Sequence, residues 1–77
     1  RILSVDQIKS FMHLAKKINM DAIIEIHDEF DLEKALLSGA DIIGVNNRDL
    51  ETFIISMDTA YRLIPKIPKE IITISEN

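Results

Sequence analysis

Apolar residues follow two rhythms in this chain, a spacing of three to four residues and a nearly continuous run, and the two alternate from one end to the other. Ile8, Phe11, Met12, Ala15 and Ile18 recur at helical spacing down one face, which predicts an amphipathic helix covering a sheet. Ser4 and Gln7 form a capping-box pair at its start. Lys16 and Lys17 fall in the last turn, where positive charge suits the helix dipole, and Asn19 is placed to stop it. Phe11 and Met12 are expected in the core, and His13, off the stripe, on the surface. From Ala22 to Asp28 the chain carries β-branched residues on both faces, with Glu25 interrupting the isoleucines, and it reads as a strand covered on both sides, as in a parallel sheet.

The same alternation then repeats twice. Asp28 to Ser38 is expected to be a second helix, with Phe30, Leu32, Ala35 and Leu36 on its buried side and Gly39 as its left-handed closing residue. Glu29, Asp31 and Glu33 lie at its positive end, and they lack the alternating ligands and closing Glu of a calcium loop. Ile42, Ile43, Gly44 and Val45 form a second strand that empties into the polar cluster Asn46-Asn47-Arg48-Asp49. Phe53, Ile54 and Ile55 suggest that the following loop packs down. A third helix begins near Ser56 to Asp58, carries Ala60, Tyr61, Leu63 and Ile64 as packing residues, and is ended by Pro65 and Pro68. Glu70 to Ser75 reads as a third strand with Glu76 and Asn77 at its tip.

This α-β-α-β-α-β order makes the strands parallel with right-handed crossovers, so all three C-terminal tips point the same way. Glu25, the cluster from Asn46 to Arg48, and the Glu76-Asn77 pair then share one rim, the end where parallel α/β proteins bind ligands. Taken alone, Asn-Asn-Arg-Asp reads more simply as a solvated turn with one Arg-Asp ion pair. A carboxylate at position 25 between covered faces must be hydrogen-bonded, paired or protonated, so Glu25 is either functional or part of an internal ion pair. His27 shares its facing parity and either orients that carboxylate or sits half in water at the rim. Convergence of three polar tips favours a catalytic rim.

Composition narrows the partners. Thirteen acidic residues stand against nine basic ones with no basic run, which argues against nucleic acid or an anionic membrane. Cysteine is absent, so disulfides and thiolate metal sites are excluded and a reducing, cytoplasmic setting fits. Two separate histidines make no metal constellation. No stretch reaches the roughly 18 apolar residues of a membrane span, and the N-terminus lacks a signal-peptide layout. Gly44 stands alone in its strand, which excludes a dinucleotide fingerprint. At 77 residues the chain is expected to be marginal by itself, and both ends look cut.

The segments Glu25-Ile26-His27-Asp28, Ile42 to Leu50 and Ile74-Ser75-Glu76, in this order and at these intervals, closely resemble indole-3-glycerol-phosphate synthase. Gly44-Val45-Asn46-Asn47-Arg48-Asp49-Leu50 is the specific part, and Ile64-Pro65 and Ile67-Pro68 extend the likeness. The resemblance implies an α/β fold, a partial (β/α)8 TIM barrel, with residues 1–77 a single fragment of that domain covering a helix and then the fifth to seventh strands. It also implies closure of the indole ring of 1-(2-carboxyphenylamino)-1-deoxyribulose 5-phosphate, with loss of carbon dioxide and water, in tryptophan biosynthesis. The family uses no metal or organic cofactor, and its partner is a small phosphorylated substrate. Glu25 would be the acid/base or electrostatic group beside the cationic intermediate, and Asn46 would hydrogen-bond the substrate. Arg48 would hold the substrate carboxylate or nearby acidic groups. Glu76 matches the glutamate of the family's Ser-Glu-Ser-Gly motif, whereas Asn77 stands where that motif has serine. The family's catalytic lysines and first glutamate belong to earlier strands, so the piece alone is expected to be inactive. Two other readings stay open: part of another phosphosugar-binding (β/α)8 enzyme, and a non-catalytic half-barrel that self-associates through exposed strand edges.

Overall fold

The computed structural model describes residues 3–48 and 57–76. Helix α1 (Val5–Lys17) begins as its capping box dictates: Gln7 N–H donates to Ser4 Oγ at 3.1 Å and Ser4 N–H to Gln7 Oε1 at 2.9 Å. It ends in a Schellman motif. Asn19 takes the left-handed conformation at φ 61°, and the N–H groups of Asn19 and Met20 donate to the carbonyls of Lys16 and Ala15. Helix α2 (Glu29–Ser38) is capped by the Asp28 carboxylate, which accepts from Asp31 N–H at 2.8 Å, and Gly39 closes it at φ 81°. Ser38 Oγ donates to the Lys34 carbonyl, and Lys34 Nζ reaches the Leu3 carbonyl at 3.1 Å, tying α2 to the start of α1.

Three strands, β1 (Ile24–Ile26), β2 (Ile42–Asn46) and β3 (Ile72–Glu76), form one parallel sheet in the order β1-β2-β3. The expected direction is therefore found. Strand β1 is shorter than its apolar run because only Ile24 to Ile26 pair with Ile43 to Val45. Helix α3 (Asp58–Leu63) ends just before Pro65, as expected. The chain tightens there into a short 3-10 helix (Ile64–Lys66) whose first turn accepts proline, since the missing N–H would be unpaired anyway.

The core lies between the helices and one face of the sheet. Ile24 and Ile26 of β1 and Ile43 and Val45 of β2 pack with Ile8, Leu32, Ala35, Ala60 and Leu63. Cover on both faces of the strands is not what the fold provides among the described residues. Alternation sends Ile23, Ile72 and Ile74 to the opposite side, where Ile72 is 61% exposed. A three-stranded sheet cannot curl back over that face, so it stays open.

Several expected packing residues also sit outside. Phe11 is half exposed at the margin of α1 while Met12 is partly buried, and Tyr61 points outward at 73% exposure. Phe30 is exposed beneath the Lys34 ammonium, 4.9 Å from its ring centroid, which offsets some of that exposure. The expected loop packing of Phe53, Ile54 and Ile55, the helix start at Ser56, and Asp49 and Asn77 lie outside the described residues.

Candidate active site at the strand ends

Register decides which side chains meet. Glu25 pairs with Gly44 and Gly44 with Ile74, while Asn46 pairs with Glu76 one pleat further on. With a period of two, Glu25, Gly44, Asn46, Ile74 and Glu76 all face the helix-free side. The carboxylate at 25 and the amide at 46 therefore face the same space at the C-terminal ends of parallel strands.

Glu25 is not the buried carboxylate expected from two covered faces. It is exposed, and no Lys or Arg among the described residues forms an ion pair with it. Its neighbour is Glu76. The absence of a side chain on Gly44 makes that approach feasible: a Cβ built on Gly44 would lie 3.1 Å from Cδ and both carboxyl oxygens of Glu76. The Glu76 carboxyl thus lies across β2 toward Glu25. Its pKa is raised above the ordinary glutamate value, first by the hydrogen bond to Glu25, then by burial, then by the adjacent charge. Oε1 of Glu76 is cut off from solvent without a protein donor. Two ionised carboxylates cannot donate to each other, so the approach of Glu25 favours the protonated form of Glu76.

Asn46 is held at both ends of its amide. Arg48 N–H donates to Asn46 Oδ1 at 2.8 Å, and Asn46 Nδ2 lies 3.3 Å from His27 Nε2. On the other side of the ring, His27 Nδ1 lies 3.3 Å from Asp31 Oδ2, which also accepts the His27 backbone N–H at 3.0 Å. His27 consequently pairs with Asp31 and Asn46 and does not orient Glu25. The Arg48 side chain is at the exposed rim.

Asn47 belongs to the other face. It is buried, with Oδ1 accepting Ala60 N–H at 3.1 Å and Nδ2 donating to Ser75 Oγ at 2.8 Å, so it caps α3. Reading from sequence missed Gly44 and Asp31 as parts of the site. The spacing of four between His27 and Asp31 was a usable signal for one, but only register reveals the other.

A cleft of about 240 Å³ opens beside β1, lined by Ile23, Glu25, His27, Asp31 and Lys34 together with apolar residues of α1. Among the described residues no cluster of three His, Cys, Asp or Glu side chains could hold a metal ion, and no helix is long and apolar enough to cross a membrane.

Parallel strands, helices on one face and polar tips on the other define a stretch of a (β/α)8 barrel protein. The family described as indole-3-glycerol phosphate synthase matches residues 1–77, and the chain belongs to that family. It is 50% identical over 72 residues, 94% of its length, to the indole-3-glycerol phosphate synthase of Caldanaerobacter subterraneus subsp. tengcongensis. It is 47% identical over all 77 residues to that of Nautilia profundicola and 44% identical over the same length to that of Campylobacter jejuni subsp. doylei. The chain spans 28% of the first of these relatives and 30% of the other two.

Proposed function

We propose that these residues form part of the active site of an indole-3-glycerol-phosphate synthase, a carbon-carbon lyase of tryptophan biosynthesis. The reaction closes the indole ring of 1-(2-carboxyphenylamino)-1-deoxyribulose 5-phosphate with loss of carbon dioxide and water, in the cytoplasm. What carries this reading is the placement of Glu25, Asn46 and Glu76 on one helix-free face at the ends of three parallel strands. Family membership over the whole chain supports it.

Glu25 moves a proton, or offsets the positive charge, beside the cationic intermediate, and Glu76, whose protonated form is favoured, lies next to it. Asn46 directs a hydrogen bond at the substrate from an amide fixed at both ends. Arg48, at the exposed rim, attracts the substrate carboxylate, with Asn77 next to Glu76 in sequence as a further polar contact. The open apolar half of the sheet, with Ile72 and Ile74, becomes barrel interior in the complete enzyme. On the isolated segment the same surface and the free strand edges drive self-association, which sizing chromatography reads directly.

The deciding experiment is Glu25→Gln in a full-length synthase whose matching segment carries these 77 residues. Turnover is expected to fall on the order of a hundredfold or more, the usual weight of a general acid or base, with thermal stability retained. Unchanged turnover removes Glu25 from the mechanism.

A further inference from the structure

Three side chains at the rim form a chain whose polarity is set from both ends. At one end stands the Arg48 backbone N–H, which can only donate, and it points at one end of the Asn46 amide from 2.8 Å. That end must be Oδ1, because the flipped amide would set two donors against each other. Nδ2 therefore faces His27. Nδ2 in turn has hydrogens and no acceptor capacity, so His27 Nε2, 3.3 Å away, must present its lone pair.

At the other end stands the Asp31 carboxylate, an acceptor when ionised, 3.3 Å from His27 Nδ1. It calls for a hydrogen on Nδ1, and the neutral ring with its one hydrogen there satisfies both neighbours. Asp31 is itself held in place. Its Oδ2 takes the His27 backbone N–H, and its own N–H is capped by Asp28. The rigid first turn of α2 is thus connected through an imidazole to an amide on β2.

Resting on the reading of Asn46 as a substrate contact, we propose that His27 is a positioning residue: in its Nδ1–H tautomer it relays the orientation of Asp31 to the Asn46 amide, leaving the second Nδ2 hydrogen to donate to an acceptor oxygen of the substrate. A hydroxyl, carboxylate or phosphate oxygen meets that requirement, and a ligand group that can only donate does not. The relay also accounts for a histidine at the rim whose hydrogen bonds among the described residues go to Asp31 and Asn46 and to neither glutamate of the pair.

Two measurements on the full-length synthase carrying these residues test it. Nitrogen-15 spectra of the labelled histidine, recorded where the ring is neutral, are expected to show a protonated Nδ1 and an unprotonated Nε2 for His27. A hydrogen on Nε2 overturns the proposal without any variant having to fold. Kinetically, His27→Ala is expected to lower kcat/KM on the order of tenfold, the scale of a misplaced contact, whereas His27→Gln, which can accept from Asn46, recovers part of the loss. The loss should vanish in an Asn46→Ala background, because the two residues act in series. The same loss in that background overturns the relay. If Asn46→Ala by itself leaves kcat/KM unchanged while the Nδ1–H tautomer is found, Asn46 is no substrate contact and the functional reading fails separately.

Discussion

The Asn47 amide joins β2 to α3, its Oδ1 accepting the Ala60 N–H at 3.1 Å from a position that is only 3% exposed. Asn46, one residue earlier, faces the open side of the sheet. Adjacent asparagines therefore have opposite duties, and substitution separates them. Asn47→Ala strands the buried Ala60 N–H and is expected to destabilise the protein by about 2 kcal/mol, the penalty for an unpaired buried donor. Urea denaturation with an unchanged slope reads that loss, while kcat of the folded protein stays within about twofold if Asn47 has no chemical part.

Gly44 leaves space that the Glu76 carboxyl fills. Gly44→Ala places a methyl group 3.1 Å from that carboxyl, and the flexible end of Glu76 is what must move. Stability is expected to change by less than about 1 kcal/mol, since alanine suits a strand better than glycine. Turnover should fall several-fold as the Glu25–Glu76 pair separates. A fully active Gly44→Ala enzyme would show that the crossing of Glu76 over β2 has no catalytic consequence.

The raised pKa of Glu76 links stability to pH with a defined sign. Folding favours the protonated carboxyl, so this contribution is complete below the ordinary glutamate pKa and disappears as pH rises through the raised one. Glu29 acts in the opposite sense. Its pKa is lowered, first by a hydrogen bond from its own backbone N–H and then by Lys66 and Arg62, whose Nζ and Nε lie 3.1 and 2.9 Å from Oε2. That contribution is present above the ordinary value and is lost as pH falls. Denaturation measured over a pH series should show Glu76→Gln removing the decline toward higher pH and Glu29→Gln removing the decline toward lower pH. Identical profiles for the two variants would contradict the assignment.

Two helix ends use the left-handed conformation with different residues. Gly39 at φ 81° has no Cβ to strain, whereas Asn19 at φ 61° does. Gly39→Ala is expected to destabilise by about 1 kcal/mol even though nothing lies within 4 Å of the added methyl, because the penalty is in the backbone. Asn19→Gly is expected to be neutral or to stabilise by a few tenths of a kcal/mol. Thermal melting of both variants checks the pair of signs.

By themselves the amino acids determined the three helices, their ends at Ser4 and Gly39, the stop at Asn19 and the parallel order of the strands. Those features depend on groups a few residues apart, where spacing and hydrogen-bonding chemistry speak directly. The outward turn of Phe11, Phe30 and Tyr61 was not legible, because apolar spacing defines a stripe without defining how much of it the neighbouring element covers. Strand faces were equally ambiguous, since Ile23 and Ile24, or Ile42 and Ile43, are chemically interchangeable. Only the pairing of β1 with β2 and of β2 with β3 set Glu25, Asn46 and Glu76 on the open side and turned Asn47 toward α3. Likewise only the folded chain brings Asp31, His27 and Asn46 into one line and lays Glu76 over Gly44. These are long-range relations: register is set between strands roughly twenty to thirty residues apart, and a shift of one residue would reverse every face and bury Glu25 and Asn46 against the helices.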